Sequence, residues 1–141
     1  MTSMNAFRAL DIAGSGMNAE QRRMEVVAAN IANAHTLRTE QGGPYRRQEV
    51  LFRSIMKRIG GQTDRLPEVE VSDVVSDMSD FRMVQDPGHP LADKDGYVAM
   101  PNVDMIFEMV DLMESMRAYE ANVKTAKSFK SMFESALQIG R

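Results

Sequence analysis

The chain has 141 residues and a formal charge of −3, so it has room for one ordinary domain and carries no strong field toward nucleic acid or an acidic membrane. It contains no cysteine, which excludes a disulfide framework, a thiol nucleophile and a thiolate metal site. No apolar run reaches the length of a membrane span, and the N-terminus lacks the apolar core and cleavage site of a secretory signal, so neither membrane insertion nor the cleaved-signal route is expected.

The first predicted element is a long amphipathic helix filling an N-terminal segment, residues 1–35. Leu10, Met17, Met24 and Ile31 recur every seven residues, and Ala6, Ala13, Val27 and Ala34 fall three later, with Glu20 interrupting that line. A seam of this kind asks for a partner helix. Gly14 and Gly16 each weaken a helix interior by roughly 0.8–1.0 kcal/mol relative to Ala. They are intelligible either if a neighbouring backbone passes close by or if the helix bends at Gly14-Ser15-Gly16. Asn30 and Asn33 share a face near the helix end. They read either as a left-handed C-cap or as amides that bond between helices and fix their register.

Residues 36–101 read as a small β-rich module with loops. Gln41-Gly42-Gly43-Pro44 is loop, Tyr45 to Ile55 is a strand-prone run, and Gly60-Gly61-Gln62 turns the chain. Val69 and Val71 alternate with charged residues, Val74 and Val75 follow, and Phe81, Met83 and Val84 suggest a further short strand. Asp86-Pro87-Gly88-His89-Pro90 is a rigid turn, because each proline restricts the residue before it. Asp95-Gly96 is a hairpin signal leading into Tyr97-Val98-Ala99-Met100, which Pro101 halts. A module below about 70 residues has a marginal core of its own. Two charge biases run through it. Arg38 to Arg58 holds six basic residues against Glu40 and Glu49, and Asp64 to Asp95 holds nine acidic residues against Arg65, Arg82 and Lys94. They read either as complementary patches that steer subunit contacts or as solvated faces.

The last segment, residues 102–141, is a second long helix with Asn102 placed as its cap and Val103 as its first residue. Met105, Leu112, Tyr119, Ala126 and Phe133 repeat every seven residues; Met109, Met116, Val123 and Leu137 fall four later, with Lys130 as the exception. Ile106, Val110 and Met113 widen the apolar face beyond what one partner helix covers. The expected fold class is therefore α+β: long N- and C-terminal helices paired as an antiparallel coiled coil, with a small β-rich middle module. Thirteen methionines suit helices that meet several non-identical neighbours, since the thioether side chain packs against uneven surfaces.

No constellation for chemistry stands out. His35 and His89 are the only histidines and lack a second ligand at metal spacing, so no metal site is expected. Asp93-Lys94-Asp95-Gly96 fails as a calcium loop, because the first and twelfth ligand positions fall on Leu91 and Asn102. Asp73, Asp77 and Asp80 read as a solvated or capping set. Gly14-Ser15-Gly16 lacks a third glycine and sits in no strand–helix unit, so no nucleotide cofactor is expected and the chain does not read as an enzyme.

Several stretches converge on a family. They are Phe7-Arg8-Ala9-Leu10-Asp11-Ile12-Ala13-Gly14-Ser15-Gly16-Met17; Ala29-Asn30-Ile31-Ala32-Asn33-Ala34; Asp86-Pro87-Gly88-His89-Pro90 through Asp95-Gly96-Tyr97-Val98 to Pro101-Asn102-Val103-Asp104; and Met116-Arg117-Ala118-Tyr119-Glu120-Ala121-Asn122-Val123. Together they resemble the flagellar rod, hook and hook-associated axial proteins of bacteria, and within them a proximal-rod subunit. The resemblance implies a structural part of the basal body, exported unfolded by the flagellar type III export apparatus and assembled in the periplasm with other flagellar rod subunits and copies of itself. It also implies terminal helices paired on the inner side of a tube. On this reading the two seams form an assembly interface: Leu10, Met17, Met24, Val27, Asn30, Ile31 and Asn33 on the first helix, and Met105, Met109, Leu112, Met116, Tyr119, Val123, Phe133 and Leu137 on the second. The alternative is a soluble helical adaptor or export-chaperone-like binding module, which would be a stable, fully helical monomer or dimer.

Overall fold

The computed structural model describes residues 2–58 and 65–139. The Gly60-Gly61-Gln62 turn and Asp64 lie outside the described residues, as do the side chains of Ala6, Lys57, Arg58 and Arg65. Six elements follow in order: helix α1 (Thr2–Ala32), strands β1 (Gln48–Arg58), β2 (Arg65–Ser76), β3 (Arg82–Gln85) and β4 (Tyr97–Met100), and helix α2 (Met105–Ile139). The α+β class and the long terminal helices are as the periodicity predicts. No helix among the described residues is long and apolar enough to cross a membrane.

The two helices pair antiparallel. Gly16 of α1 lies against Asn122 of α2, Arg23 is ion-paired with Asp111, and Asn30 is hydrogen-bonded to Glu108. Positions rise along one helix as they fall along the other. Helix α1 is the middle layer, with α2 on one flank and the β1–β2 hairpin on the other. That sandwich explains why its buried apolar side chains (Ala13, Ala19, Val26 and Val27) spread beyond a single heptad line. They are small, so the elements approach closely, and the core they make is correspondingly thin.

The middle holds two separate hairpins. Strands β1 and β2 form a long antiparallel pair with a register shift between Leu51 and Phe52. Strands β3 and β4 form a second, short pair, and neither touches any other helix or strand. Asp95-Gly96 does not act as a two-residue hairpin turn: residues 86–96 close the β3–β4 hairpin. Within that loop Asp93 Oδ1 accepts from the backbone N–H of Asp95 and of Tyr97 at 3.0 and 2.8 Å. Gly96 sits at φ +78°, where a side chain would also press on Pro87 at 3.1 Å.

Helix α1 runs unbroken through Gly14 and Gly16, and the two glycines differ. Nothing lies within 4 Å of a Cβ built at Gly14, whereas one built at Gly16 would meet Asn122 Nδ2 at 2.7 Å. The close neighbour at Gly16 is thus a side-chain amide of α2 rather than a backbone. Gly14→Ala is expected to raise the stability of the purified protein by about 0.8–1.0 kcal/mol. Gly16→Ala should gain nothing, and combining it with Asn122→Ala should recover the helix-propensity gain. Thermal melts of these three variants and of Asn122→Ala alone check this, and equal gains at both glycines would contradict the packing at Gly16.

Candidate functional site: a polar junction and an outward apolar face

Near the end of α1 the chain builds a polar junction. Asn30 is fully buried and uses all four hydrogen-bonding positions of its amide. Its Nδ2 donates to the carbonyl of Gln48 and to Glu108 Oε2, both at 2.9 Å. Its Oδ1 accepts from the Tyr45 hydroxyl at 3.0 Å and from the backbone N–H of Gln48 at 2.9 Å. One side chain therefore joins α1, the start of β1 and α2.

Glu108 is buried as well and is held from the other side by Arg47, whose Nε donates to Oε1 at 2.6 Å. Burial works against the Arg47 charge, but the hydrogen bond and charge of Glu108 outweigh it, and the guanidinium is held above the usual arginine range. Burial, together with the Glu108 charge, pushes the Tyr45 hydroxyl up. The backbone N–H of Arg47 donates to Asn102 Oδ1 at 2.8 Å, and Asn102 Nδ2 donates to the carbonyl of Asp77 at 3.1 Å and to Ser79 Oγ at 2.9 Å. Asn102 is thus a brace between strands and not the cap of α2. The cap is Asp104, whose Oδ1 accepts from Ile106 N–H at 2.9 Å. Arg46 completes the region by lying 4.1 Å over the Phe81 ring.

Asn33 behaves differently from Asn30. Its Nδ2 donates to the Ala29 carbonyl at 2.9 Å, and its Oδ1 accepts from the Thr36 hydroxyl at 3.1 Å. Both bonds are local. Neither asparagine adopts a left-handed backbone, since the described positive-φ residues are all glycines, so the C-cap reading does not hold.

One turn and a half along the helix pair lies a second charged group. Arg23 is ion-paired with Asp111 and stands 4.0 Å from Glu20 Oε2, which is buried without a hydrogen bond. Burial pushes the Glu20 carboxyl up; Arg23 opposes this and Asp111 adds to it.

The seam that α2 turns toward α1 is the line Glu108, Ser115, Asn122 and Phe129, every seven residues, flanked by Asp111, Leu112, Ala118, Tyr119, Val123, Ala126 and Phe133. Of the seam residues expected from the heptads, Leu112, Tyr119, Val123 and Phe133 are half-buried on it, while Met105, Met109, Met116 and Leu137 are exposed. On α1, Val27 and Asn30 are buried and Leu10, Met17, Met24, Ile31 and Asn33 are half-buried. The heptad line of α2 that faces α1 is polar at Glu108, Ser115 and Asn122, so a stripe of large apolar residues does not mark it. Ile106, Val110 and Met113 lie opposite that seam and Met105, Met109 and Met116 along one flank of it, all exposed, with Ile106 at 75%. Near its start Phe107 is 73% exposed. The first third of α2 is therefore polar toward its own chain and apolar toward solvent. Sequence reasoning missed Tyr45, Arg47 and Glu108 because no short-range pattern links them; the seven-residue line through Glu108 and Ser115 was the available signal.

The chain matches two family models: "Flagella basal body rod protein" over residues 10–38 and "Flagellar basal body rod FlgEFG protein C-terminal" over residues 94–139. It is similar along its length to proteins named flagellar basal-body rod protein FlgC. That of Escherichia coli O6:H1 is 40% identical, with 100% of each chain covered. That of Bacillus subtilis is 40% identical over 98% of this chain and 100% of the relative. That of Borreliella burgdorferi is 39% identical over 96% of this chain and 98% of the relative.

Two outcomes test the junction. Asn30→Leu removes the partner of several buried groups and should destabilise the protein by about 3 kcal/mol or more, against about 1 kcal/mol for Asn33→Ala, read as urea midpoints at constant slope. Similar losses at both sites would contradict the network. For Glu20, a folded-state pKa above the unfolded value means that the ionised carboxyl is penalised at neutral pH. The penalty lifts as pH falls through the folded pKa and is gone below the unfolded one. Glu20→Gln should thus stabilise the protein at pH 7, and the gain should shrink toward pH 4. A gain that grows on acidification would reverse the sign.

Proposed function

The chain belongs to the flagellar basal-body rod protein family FlgC, and on that premise we propose that it is a structural subunit of the proximal rod, joining its neighbours through the outward apolar face of α2. The observation that carries the assembly mode is the inversion of α2, with Glu108 and Ser115 buried inward while Ile106, Val110 and Met113, and the flanking Met109 and Met116, are exposed. A helix left with such a face in a single chain has apolar area to bury against something else. The terminal segments, residues 1–35 and 102–141, polymerise, and residues 36–101 decorate the shaft they form. Torque passes through many such helices in contact rather than through one hinge.

The partners under this reading are other flagellar rod subunits and further copies of this chain, and the role is mechanical, without catalysis. The chain reaches the periplasmic rod through the flagellar type III export apparatus. An absence of cysteine suits passage through an oxidising compartment without mispairing. The predicted assembly residues sort by their place in the chain. Met105, Met109, Met116 and Leu137 are available to neighbours directly. The half-buried seam residues act by keeping α1 and α2 paired.

Met109→Asp and Met116→Asp separate the two roles. Each side chain is about half-exposed, so the substitution should change the stability of the purified protein by no more than about 0.5 kcal/mol. Each should nevertheless prevent incorporation into basal bodies and abolish swimming when it replaces the wild-type chain. Normal swimming with both substitutions together, in cells whose basal bodies contain the variant, would falsify the assembly face.

A further inference from the structure

The β1–β2 hairpin has one guarded edge and one open edge. Val69 N–H points away from β1 and donates to Ser15 Oγ of α1 at 3.3 Å, so the Ser54–Val69 pair is one whose backbone groups face outward. Pro67, two residues earlier on the same edge of β2, has no N–H to offer. The edge of β2 is thus blunted by α1 and by proline. By the same alternation, Phe52, Ser54 and Met56 turn their N–H and C=O groups out along the free edge of β1, and no hydrogen bond among the described residues reaches them. Their neighbourhood is apolar, with Phe52 and Met56 exposed.

A second open edge lies on β3. The Asp86 N–H bonds to the Gly96 carbonyl at 2.9 Å, so Arg82 and Val84 face β4, and Met83 and Gln85 turn their backbone groups away from it. Strand β3 touches only β4 among the elements, and all four of its residues are exposed. The charges of the two edges differ. The stretch leading through β1 is the basic one, and β3 sits in the acidic stretch, flanked by Asp80 and Asp86.

We propose that the open edge of β1 in one copy receives the open edge of β3 from a second copy of this chain, antiparallel, with Met83 opposite Ser54 and Gln85 opposite Phe52. Two outward residues on each strand then exchange about four backbone hydrogen bonds. In this register Val84 lies opposite Arg53, and Arg82 lies opposite Ile55. The contact joins two different surfaces, so it repeats head to tail and builds an open helical array rather than a closed pair. That is the symmetry a rod needs, and the inference rests on the rod reading above.

The absence of native cysteine makes the test direct. Residues opposite each other on paired strands stand about 5.5 Å apart at Cα, within disulfide range. Basal bodies are isolated from cells whose only copy of the chain carries Ser54→Cys with Met83→Cys, treated with a mild oxidant and run on a non-reducing gel. The expected result is a ladder of dimers, trimers and higher species, with monomer alone from either single variant. Phe52→Cys with Gln85→Cys, the other pair that stands opposite in this register, carries the test if the first pair fails to incorporate. Dimers from Ser54→Cys alone would show β1 meeting β1 and overturn the proposal. So would monomer from both pairs in swimming cells whose basal bodies contain the chain. Swimming cells whose basal bodies lack the chain would instead overturn the rod reading.

Discussion

The side-chain amide of Asn30 is the point on which the arrangement of this chain depends. It is buried, and its four hydrogen-bonding positions are shared among three residues: the Tyr45 hydroxyl, both backbone groups of Gln48 and the carboxylate of Glu108. A heptad seam of interchangeable apolar residues can slip by one repeat with little loss. A buried amide facing a buried carboxylate cannot, because any other register leaves both desolvated and unpaired. Arg47 makes this stricter, since Glu108 is neutralised only when β1 begins where it does. The junction therefore specifies register more than it adds stability, as is common for buried ionic groups whose desolvation offsets their attraction.

Much of the rest follows from having that specificity at one end of the helix pair. With the register set, the seam can be narrow. Small residues line α1, a side-chain amide of α2 sits over Gly16, and Ser115 is buried with its hydroxyl returned to the Asp111 carbonyl at 2.7 Å. Close approach of this kind needs few large side chains, and it leaves those of α2 for the other face. Flexible methionines dominate that face, which suits surfaces that meet neighbours of unlike shape.

The gross fold was legible because it rests on periodicity. Leu10, Met17, Met24 and Ile31 announce α1, and Met105, Leu112, Tyr119 and Phe133 announce α2; each strand coincides with an apolar run. What was not legible depends on contacts across the chain. Asn102 has the right identity to cap a helix, yet Asp104 does so, because Asn102 is needed between Arg47 and Asp77. Asp95-Gly96 has the identity of a tight hairpin turn, yet the loop starting at Asp86 closes that hairpin. Glu108 lies on the heptad line of α2, but a search for apolar repeats passes over it. Large side chains alone could not say which face turns inward, because α2 carries two stripes and hides the less apolar one.

That choice has a thermodynamic consequence. Within one chain the seam between α1 and α2 buries little apolar area, so the pair is well specified but weakly held. Contact with neighbours would cover the methionine face, and at about 25 cal/mol per Å² of apolar surface that face is the larger reserve of stabilisation. Ordering entropy for two long helices is on the order of 1–2 kcal/mol per residue, which a thin core offsets only in part. A chain built this way reaches its most stable state after its register is set and its outer face is covered. The polar junction decides which helices pair, and it leaves the apolar face of α2 uncovered within the single chain.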